Sequence, residues 1–266
     1  MSDQTFSCRV VEEISCRRQA KSWAWFLDID GTLLDLAPSP DSVVVPPELS
    51  AALSRIAQAP NHRVALVSGR ASSDIHRLFG HIAVSSSGNH GAEYLDGAAH
   101  WVHESTREFL AEHDRIKEVL APFPSLFPGT LTEDKTYSFS LHYRHVPREL
   151  HQSLAETLAA ALHGIPHIQI LPAKLCWEIR PAPGPTKADA VRTLYARFQK
   201  VLPSPTVAVV MGDDRTDEDA FAAVEGAVTV HVGPGPTAAR YRLPSPAAAR
   251  LFLECLSRHP SGLASC

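Results

Sequence analysis

Asp28 and Asp30 lie two residues apart in the run Asp28-Ile29-Asp30-Gly31-Thr32, directly after the apolar residues 23–27. A carboxylate placed there can attack phosphorus and form an aspartyl phosphate. A second carboxyl beside it can protonate the departing oxygen and then deprotonate water, best where its surroundings raise its pKa. Two carboxylates facing a phosphate require a cation. Mg2+ suits, because it takes oxygens from one or two carboxylates, from water and from substrate phosphate. Asp213, Asp214, Asp217 and Glu218 crowd behind a further apolar run, residues 207–211. Such crowding is unfavourable without a cation. An acidic helix start, favoured by the helix dipole, accounts for Glu218 and Asp219 but leaves Asp213 and Asp214 to another role. Ser68-Gly69-Arg70 offers a hydroxyl and an open backbone N–H to a phosphate oxygen. Lys187, beside a helix start, can neutralise nucleophile and phosphate. Singly, each motif also fits an ordinary turn or a surface charge. Jointly and in this order they describe metal-assisted phosphoryl transfer.

The elements that must position these residues follow from the apolar pattern. Short apolar runs bounded by turn residues read as buried strands, here 23–28, 63–67, 82–87, 207–211 and 227–232. Ligands of open α/β sheets bind outside the carboxyl ends of the strands, which is where the catalytic residue types fall. Leu49, Ala52, Leu53 and Ile56 have helical spacing after Pro46-Pro47-Glu48. Ile75, Leu78 and Phe79 predict a short helix ending at Gly80. Asp96-Gly97 marks a hairpin within residues 94–102. Thr186 caps a predicted helix carrying Val191, Leu194, Tyr195 and Phe198. Further helices are expected near 217–224 and 246–257.

Between these parts the pattern changes. Residues 104–120 predict one amphipathic helix with Phe109, Leu110, Ile116, Val119 and Leu120 on its apolar face. A Pro/Gly-rich stretch at 122–129 then separates it from two extended segments. In the second, Tyr137, Phe139, Leu141 and Tyr143 alternate with Ser138, Ser140, His142 and Arg144, the mark of a half-buried antiparallel strand. A helix near 147–163 ends at Gly164, and strands near 167–171 and 175–180 follow. In the last, Leu175, Trp177 and Ile179 alternate with Cys176, Glu178 and Arg180. Arg144 and Glu178 are thus expected on polar strand faces. The fold class is α/β, a doubly wound and mostly parallel sheet, interrupted by an α+β insert. The expected divisions are an arm at 1–21, a core at 22–103 and 183–258, the insert at 104–182 and a tail at 259–266.

Composition narrows the function. The chain has 266 residues, 44% hydrophobic and 20% charged, ordinary for a soluble globular protein. A net charge of -4 leaves no basic footprint for nucleic acid. No apolar stretch approaches the ~20 residues of a membrane span. Residues 1–21 carry scattered charges and no apolar signal region. The 5 cysteines, Cys8, Cys16, Cys176, Cys255 and Cys266, form no C-x-x-C pair. That argues against a disulfide framework or a zinc site and for a reduced, cytoplasmic setting. The 14 histidines show no ligand spacing. The expectation is a monomer acting on a small molecule, with no nucleic-acid or membrane partner.

The ordered set D-x-D-G-T, S-G-R, Lys and G-D-D-x-T-D resembles the haloacid dehalogenase-like phosphotransferase superfamily over about 22–90 and 183–235. The resemblance implies Asp28 as nucleophile, Asp30 as acid and base, and Ser68 and Lys187 as phosphate ligands. It also implies Mg2+ on Asp28, the Asp30 backbone carbonyl and Asp213, with Asp214 and Asp217 supporting. Which of the adjacent Asp213 and Asp214 touches the metal stays open between them. Gly88-Asn89-His90-Gly91, Glu133-Asp134-Lys135, His142-Tyr143-Arg144 and Glu178-Ile179-Arg180-Pro181 are similar to the trehalose-6-phosphate phosphatase family. In that family the insert is a cap that binds the sugar. The resemblance implies Glu133, Lys135, Arg144 and Glu178 as glucose contacts, with Gly69, Arg70 and His90 near the substrate from the core. One position departs: Ala188 follows Lys187 where the family carries Gly. The implied reaction is Mg2+-dependent hydrolysis of trehalose 6-phosphate. Its alternatives are another sugar-phosphate phosphatase, a phosphomutase, or a non-catalytic sugar-phosphate sensor.

Overall fold

The structure is a computed structural model, and it describes residue 14, residues 20–37 and residues 43–258. The expected arm and tail, with Cys8, Cys16 and Cys266, lie outside these residues apart from Ile14, Ala20 and Lys21. The chain divides into two compact units, one running up to Trp101 and resuming at Thr186, the other formed by Val102–Pro185. Among the described residues no helix is long and apolar enough to cross a membrane.

The first unit begins with β1 (Ser22–Leu27), α1 (Pro47–Gln58), β2 (His62–Val67), α2 (Ser72–Phe79), β3 (Ser85–Gly88), β4 (Glu93–Asp96) and β5 (Ala99–Val102). The second unit contains α3 (Thr106–Ala111), α4 (His113–Leu120), α5 (Phe123–Leu126), β6 (Leu131–Asp134), β7 (Phe139–His142), α6 (His151–Ala161), β8 (Ile168–Ala173) and β9 (Cys176–Pro181). The first unit then resumes with α7 (Lys187–Phe198), β10 (Thr206–Gly212), α8 (Arg215–Phe221), β11 (Val228–Val232), β12 (Tyr241–Leu243) and α9 (Pro246–Arg258).

The strand order of the first unit is β12-β11-β10-β1-β2-β3-β4-β5. The ladders from β12 through β3 are parallel, and β4 turns antiparallel to β3. All six residues of β1 are buried, which explains its unbroken apolar run after Ser22: a central parallel strand has no wet face. Alternate residues feed two cores. Trp23, Trp25, Leu27, Val64, Leu66, Val209 and Met211 pack with residues of α1, α2 and α9. Ala24, Phe26, Ala65, Val67, Ala208 and Val210 pack with residues of α7 and α8. Helices thus cover both sheet faces, and each large side chain removed from water contributes roughly 1.5–3 kcal/mol.

The second unit has its own sheet, ordered β6-β7-β9-β8 and antiparallel throughout. Phe139, Leu141 and Ile179 on one face join Phe109, Ile116, Leu120, Phe123, Leu154 and Leu158 in a separate core.

Several expected elements come out differently. Residues 104–120 form two helices. The Glu112 N–H bonds to the Phe109 carbonyl, three residues back, and the α ladder restarts beyond it. The strand expected at 82–87 begins only at Ser85, because Ile82 is spent on a turn in which its N–H bonds to Phe79. The strand expected at 137–144 shrinks to β7. Before it, Thr136 adopts φ 68 in the tight turn from β6. After it, the Tyr143 N–H reaches the Leu175 carbonyl and a second turn follows. Arg144 therefore sits exposed in a turn and not on a polar strand face. Residues 122–129 contain the short helix α5, and β12 had no counterpart among the expected strands.

Candidate active site

The parallel pairing of β1 with β10 brings Leu27 beside Met211, and the Asp28 N–H continues the ladder to the Met211 carbonyl at 3.0 Å. Asp28 and Asp213 therefore leave the same end of two adjacent strands. Behind Asp28 the chain reverses tightly, with the Gly31 N–H bonded to the Leu34 carbonyl at 2.8 Å. Gly31 has φ 87, and a Cβ on it would overlap the Asp213 carboxylate, so this close passage needs glycine twice over.

Lys187 opens α7 and is buried at 3% exposure. Thr186 caps that helix in a reciprocal box with Asp189, which fixes where Lys187 begins its climb. Its Nζ donates to Asp28 Oδ1 at 2.7 Å and to Asp217 Oδ1 at 2.8 Å, and stands 4.0 Å from Asp214 Oδ1. Asp214 and Asp217 form a second capping box at the start of α8. Asp214 Oδ1 accepts from the N–H groups of Thr216 and Asp217 and from the Thr216 hydroxyl. Asp217 Oδ2 accepts from the N–H groups of Asp213 and Asp214.

Burial pushes the Asp28 carboxyl up to about 6; Lys187 opposes the rise, and Asp213 and Asp214 add to it. Burial also raises Asp217, which shares its ammonium with Asp28. Lys187 lies well above the usual lysine range, because Asp217 and Asp28 outweigh the burial that works against its charge. Asp214 lies well below the carboxylate range: burial opposes its charge, but Lys187 and its hydrogen bonds to Asp217 and Thr216 prevail.

Asp28, Asp213 and Asp217 each offer an oxygen, and the three oxygens lie within 4.8 Å of one another. This all-carboxylate donor set fits a hard divalent cation of the Mg2+ type. Of the five expected metal residues these three converge. Asp214 lies outside the cluster, with its Oδ1 capping the start of α8. The Asp30 carboxylate lies outside it too. Arg70 grips it in two parallel bonds, Nε to Oδ2 at 2.6 Å and Nη2 to Oδ1 at 2.7 Å. Arg70 also lies 3.6 Å from Asp74, so its guanidinium is committed to carboxylates of the protein.

Ser68 follows β2 and is buried. Its Oγ accepts from the Arg70 N–H at 3.2 Å, and its carbonyl accepts from the His90 N–H at 3.0 Å. The His90 ring packs against Gly69, where any side chain would collide with it. Asn89 and His90 both adopt left-handed backbone, with φ 49 and 56.

In the second unit the register places Glu133, Ser140 and Glu178 in one row across β6, β7 and β9. Directly paired residues share a face, so this row lies opposite the Phe139–Leu141–Ile179 core face. Glu133 accepts from His142 Nε2 at 2.8 Å and lies 3.8 Å from the Lys135 ammonium. Arg180 Nε donates to Glu178 at 2.8 Å. Glu133 and Lys135 thus form one polar group with His142, Glu178 pairs with Arg180, and Arg144 lies in the turn beyond β7. Sequence reasoning left out His142 and Arg180 as members. The signal for Arg180 was its spacing of two from Glu178, while His142 needed the register of β6 on β7. It also left out Glu93, whose buried carboxylate accepts from Ser72 and Asn89.

The fold is that of a haloacid dehalogenase-like hydrolase, with carboxylates of the expected kind at the carboxyl ends of the strands. Residues 26–248 match the trehalose-phosphatase family. The chain is 34% identical to a trehalose-6-phosphate phosphatase of Escherichia coli K12 over 226 residues, 83% of this chain and 81% of the relative. It is 38% identical to a probable trehalose-phosphate phosphatase of Sinorhizobium fredii over 220 residues, 80% of this chain and 78% of the relative. A crystal structure of a trehalose-6-phosphate phosphatase related protein superposes with a TM-score of 0.80 at 24% identity, covering 90% of this chain and 98% of the other. The chain belongs to the trehalose-phosphatase family, a family of enzymes.

Proposed function

We propose that this chain hydrolyses trehalose 6-phosphate to trehalose and inorganic phosphate, with Mg2+ as cofactor and an aspartyl phosphate on Asp28 as intermediate. The observation that carries the reading is the contrast between two carboxylates two residues apart. Asp28 is buried in the acidic cluster against Lys187, while Asp30 is drawn away by Arg70 and keeps its side chain 31% exposed. One is set to attack, the other to exchange protons with leaving group and water. Curated relatives at 34% and 38% identity support the substrate.

Asp28 attacks phosphorus, and the bond from phosphorus to the sugar oxygen breaks as Asp30 protonates that oxygen. Trehalose leaves. Asp30 then takes a proton from water, whose oxygen attacks phosphorus and releases phosphate and free Asp28. Ser68 and Lys187 hold the phosphoryl oxygens, where preorganised charge is usually the largest catalytic term. Asp28, Asp213, Asp217 and the Asp30 backbone carbonyl would hold Mg2+, with Asp214 supporting them as the cap of α8. When bound, the ion supplies positive charge for the phosphoryl oxygens and the crowded carboxylates. Gly69 and His90 shape the phosphate end, and Arg70 serves it by orienting Asp30. The second unit is the specificity cap. Glu133 and Glu178 on its polar sheet face, with Lys135 after β6 and Arg144 in the turn after β7, recognise sugar hydroxyls, because a site built to bond hydroxyls rejects ligands that lack them. The enzyme works as a cytoplasmic monomer. The free Cys176 and Cys255 are in keeping with a reducing compartment.

The test is phosphate release with and without Mg2+ from trehalose 6-phosphate, glucose 6-phosphate, sucrose 6-phosphate and p-nitrophenyl phosphate. The expected result is Mg2+-dependent release with strong preference for trehalose 6-phosphate. Mg2+-dependent release without that preference would remove the sugar assignment and keep the chemistry. Transfer to a second sugar would replace hydrolysis by a mutase reaction, and binding without release would make the chain a sensor.

A further inference from the structure

Glu93 opens β4 and is buried at 7% exposure, yet none of the steps above uses it. We propose that Glu93 is a positioning residue: its carboxylate clamps the loop after β2 to the turn after β3, and thereby holds Ser68, Gly69 and His90 in their working places. The proposal rests on the phosphatase reading for its catalytic consequence, and on hydrogen bonds alone for the clamp.

The two segments meet at several levels. The Asn89 N–H donates to the Arg70 carbonyl at 2.8 Å, and the His90 N–H donates to the Ser68 carbonyl at 3.0 Å. At Gly88 there is no room for a side chain, since a Cβ would stand 2.7 Å from Ser72 N and 2.8 Å from the Arg70 carbonyl oxygen. Backbone contacts this close are held from the side by Glu93. A single oxygen, Oε1, accepts the Ser72 N–H at 3.0 Å and Asn89 Nδ2 at 2.5 Å. The first bond anchors the start of α2, directly behind Ser68-Gly69-Arg70. The negative charge is favoured there by the helix dipole. The second bond holds the side chain of Asn89, the first of three consecutive left-handed residues, Asn89, His90 and Gly91 at φ 49, 56 and 108. Ser87 Oγ closes the arrangement by donating to the Glu93 carbonyl at 2.9 Å.

Removing the carboxylate takes the acceptor from a part-buried N–H and a buried amide, so the segments must separate or admit water. His90 follows Asn89 directly, and Ser68 is tied to His90 and Arg70 by hydrogen bonds. Because both hydrogen bonds end on one oxygen, a glutamine carbonyl can accept both. The conservative variant therefore separates position from charge.

The experiment compares wild type, Glu93→Ala and Glu93→Gln in Mg2+-dependent phosphate release from trehalose 6-phosphate and p-nitrophenyl phosphate, together with backbone amide exchange. A displacement of ~1 Å at reacting groups costs on the order of 100-fold in rate. On that scale Glu93→Ala should lower kcat on both substrates by roughly 30–100-fold while KM moves less than about 3-fold, and Glu93→Gln should stay within about 3-fold of wild type. Amide exchange should quicken at residues 68–72 and 88–91 in Glu93→Ala and not in Glu93→Gln. If Glu93→Ala does not fold, Asn89→Ala, which deletes one of the two donors, must lower kcat in the same sense. A folded Glu93→Ala with wild-type kcat overturns the proposal. So does a kcat loss that only tracks the unfolded fraction, or a Glu93→Gln that falls as far as Glu93→Ala. If wild type releases no phosphate at all, the phosphatase reading fails, and the exchange comparison still decides for or against the clamp.

Discussion

A single ammonium, that of Lys187, stands within 4.0 Å of oxygens from Asp28, Asp214 and Asp217. Its charge cannot satisfy all three, and the residue-scale predictions follow from that shortage. In metal-free protein Asp28 has its carboxyl raised to about 6 from 3.8, mainly by burial. Between those values the folded chain binds more protons than the unfolded one, so stability should fall as pH rises from about 4 to about 6. Thermal midpoints in EDTA across that window, in wild type and Asp28→Asn, isolate the effect. The decline should be steeper in wild type than in the variant, where the raised Asp217 still contributes, and offset by Mg2+ at pH 7; a wild-type profile that matches the variant's would remove the assignment. Asp28→Asn should also cut phosphate release by more than about 1,000-fold with the fold intact, as loss of a nucleophile does. Asp28, Ser68 and Asp213 were readable in the sequence because each follows a buried strand. The division between Asp213 and Asp214 was not, since it depends on which carboxylate turns back to cap α8. Nor was the grip of Arg70 on Asp30, two residues 40 positions apart.

Elements carry these residues into place, and their ends matter more than their middles. Thr186→Ala removes the cap at the start of α7 and should cost about 1 kcal/mol of stability, read from denaturant unfolding. Lys187 is the first residue of that helix, so phosphate release should fall with it. If Thr186→Ala unfolds like wild type, the box contributes nothing. Gly31→Ala should weaken Mg2+ binding measured by calorimetry, since its Cβ would displace Asp213. Unaltered affinity would separate Asp213 from the metal. On the second sheet, Glu178→Ala should lower turnover of trehalose 6-phosphate far more than of p-nitrophenyl phosphate. Equal losses would make the Glu178–Arg180 pair structural. The central strands were readable as continuous apolar runs, because parallel strands are buried on both sides. The misreadings arose where pattern and hydrogen bonding part company. Residues 104–120 keep helical spacing across a broken ladder, and residues 137–144 keep alternating while only four of them pair. Glu133 had no strand phase in the sequence; its place opposite Ser140 comes from pairing alone.

At the scale of the molecule the sequence showed the division into a parallel α/β part and an α+β insert, through the change from long apolar runs to alternating ones. Each unit has its own core, so residues 102–185 expressed alone should unfold cooperatively, as followed by circular dichroism. A fragment without a transition would mean that the insert borrows its stability from the rest of the chain. The strand order has a consequence that concerns the ribosome. β1 lies at the centre of its sheet, with β2 on one side and β10 on the other, and its partner Thr206 is encoded 184 residues after Ser22. At ~5–20 residues per second, translation leaves one edge of this largely apolar strand bare for roughly 10–40 s. The nascent chain passes through the whole insert during that interval. It is then, and not as a finished enzyme, that this protein has most need of a chaperone.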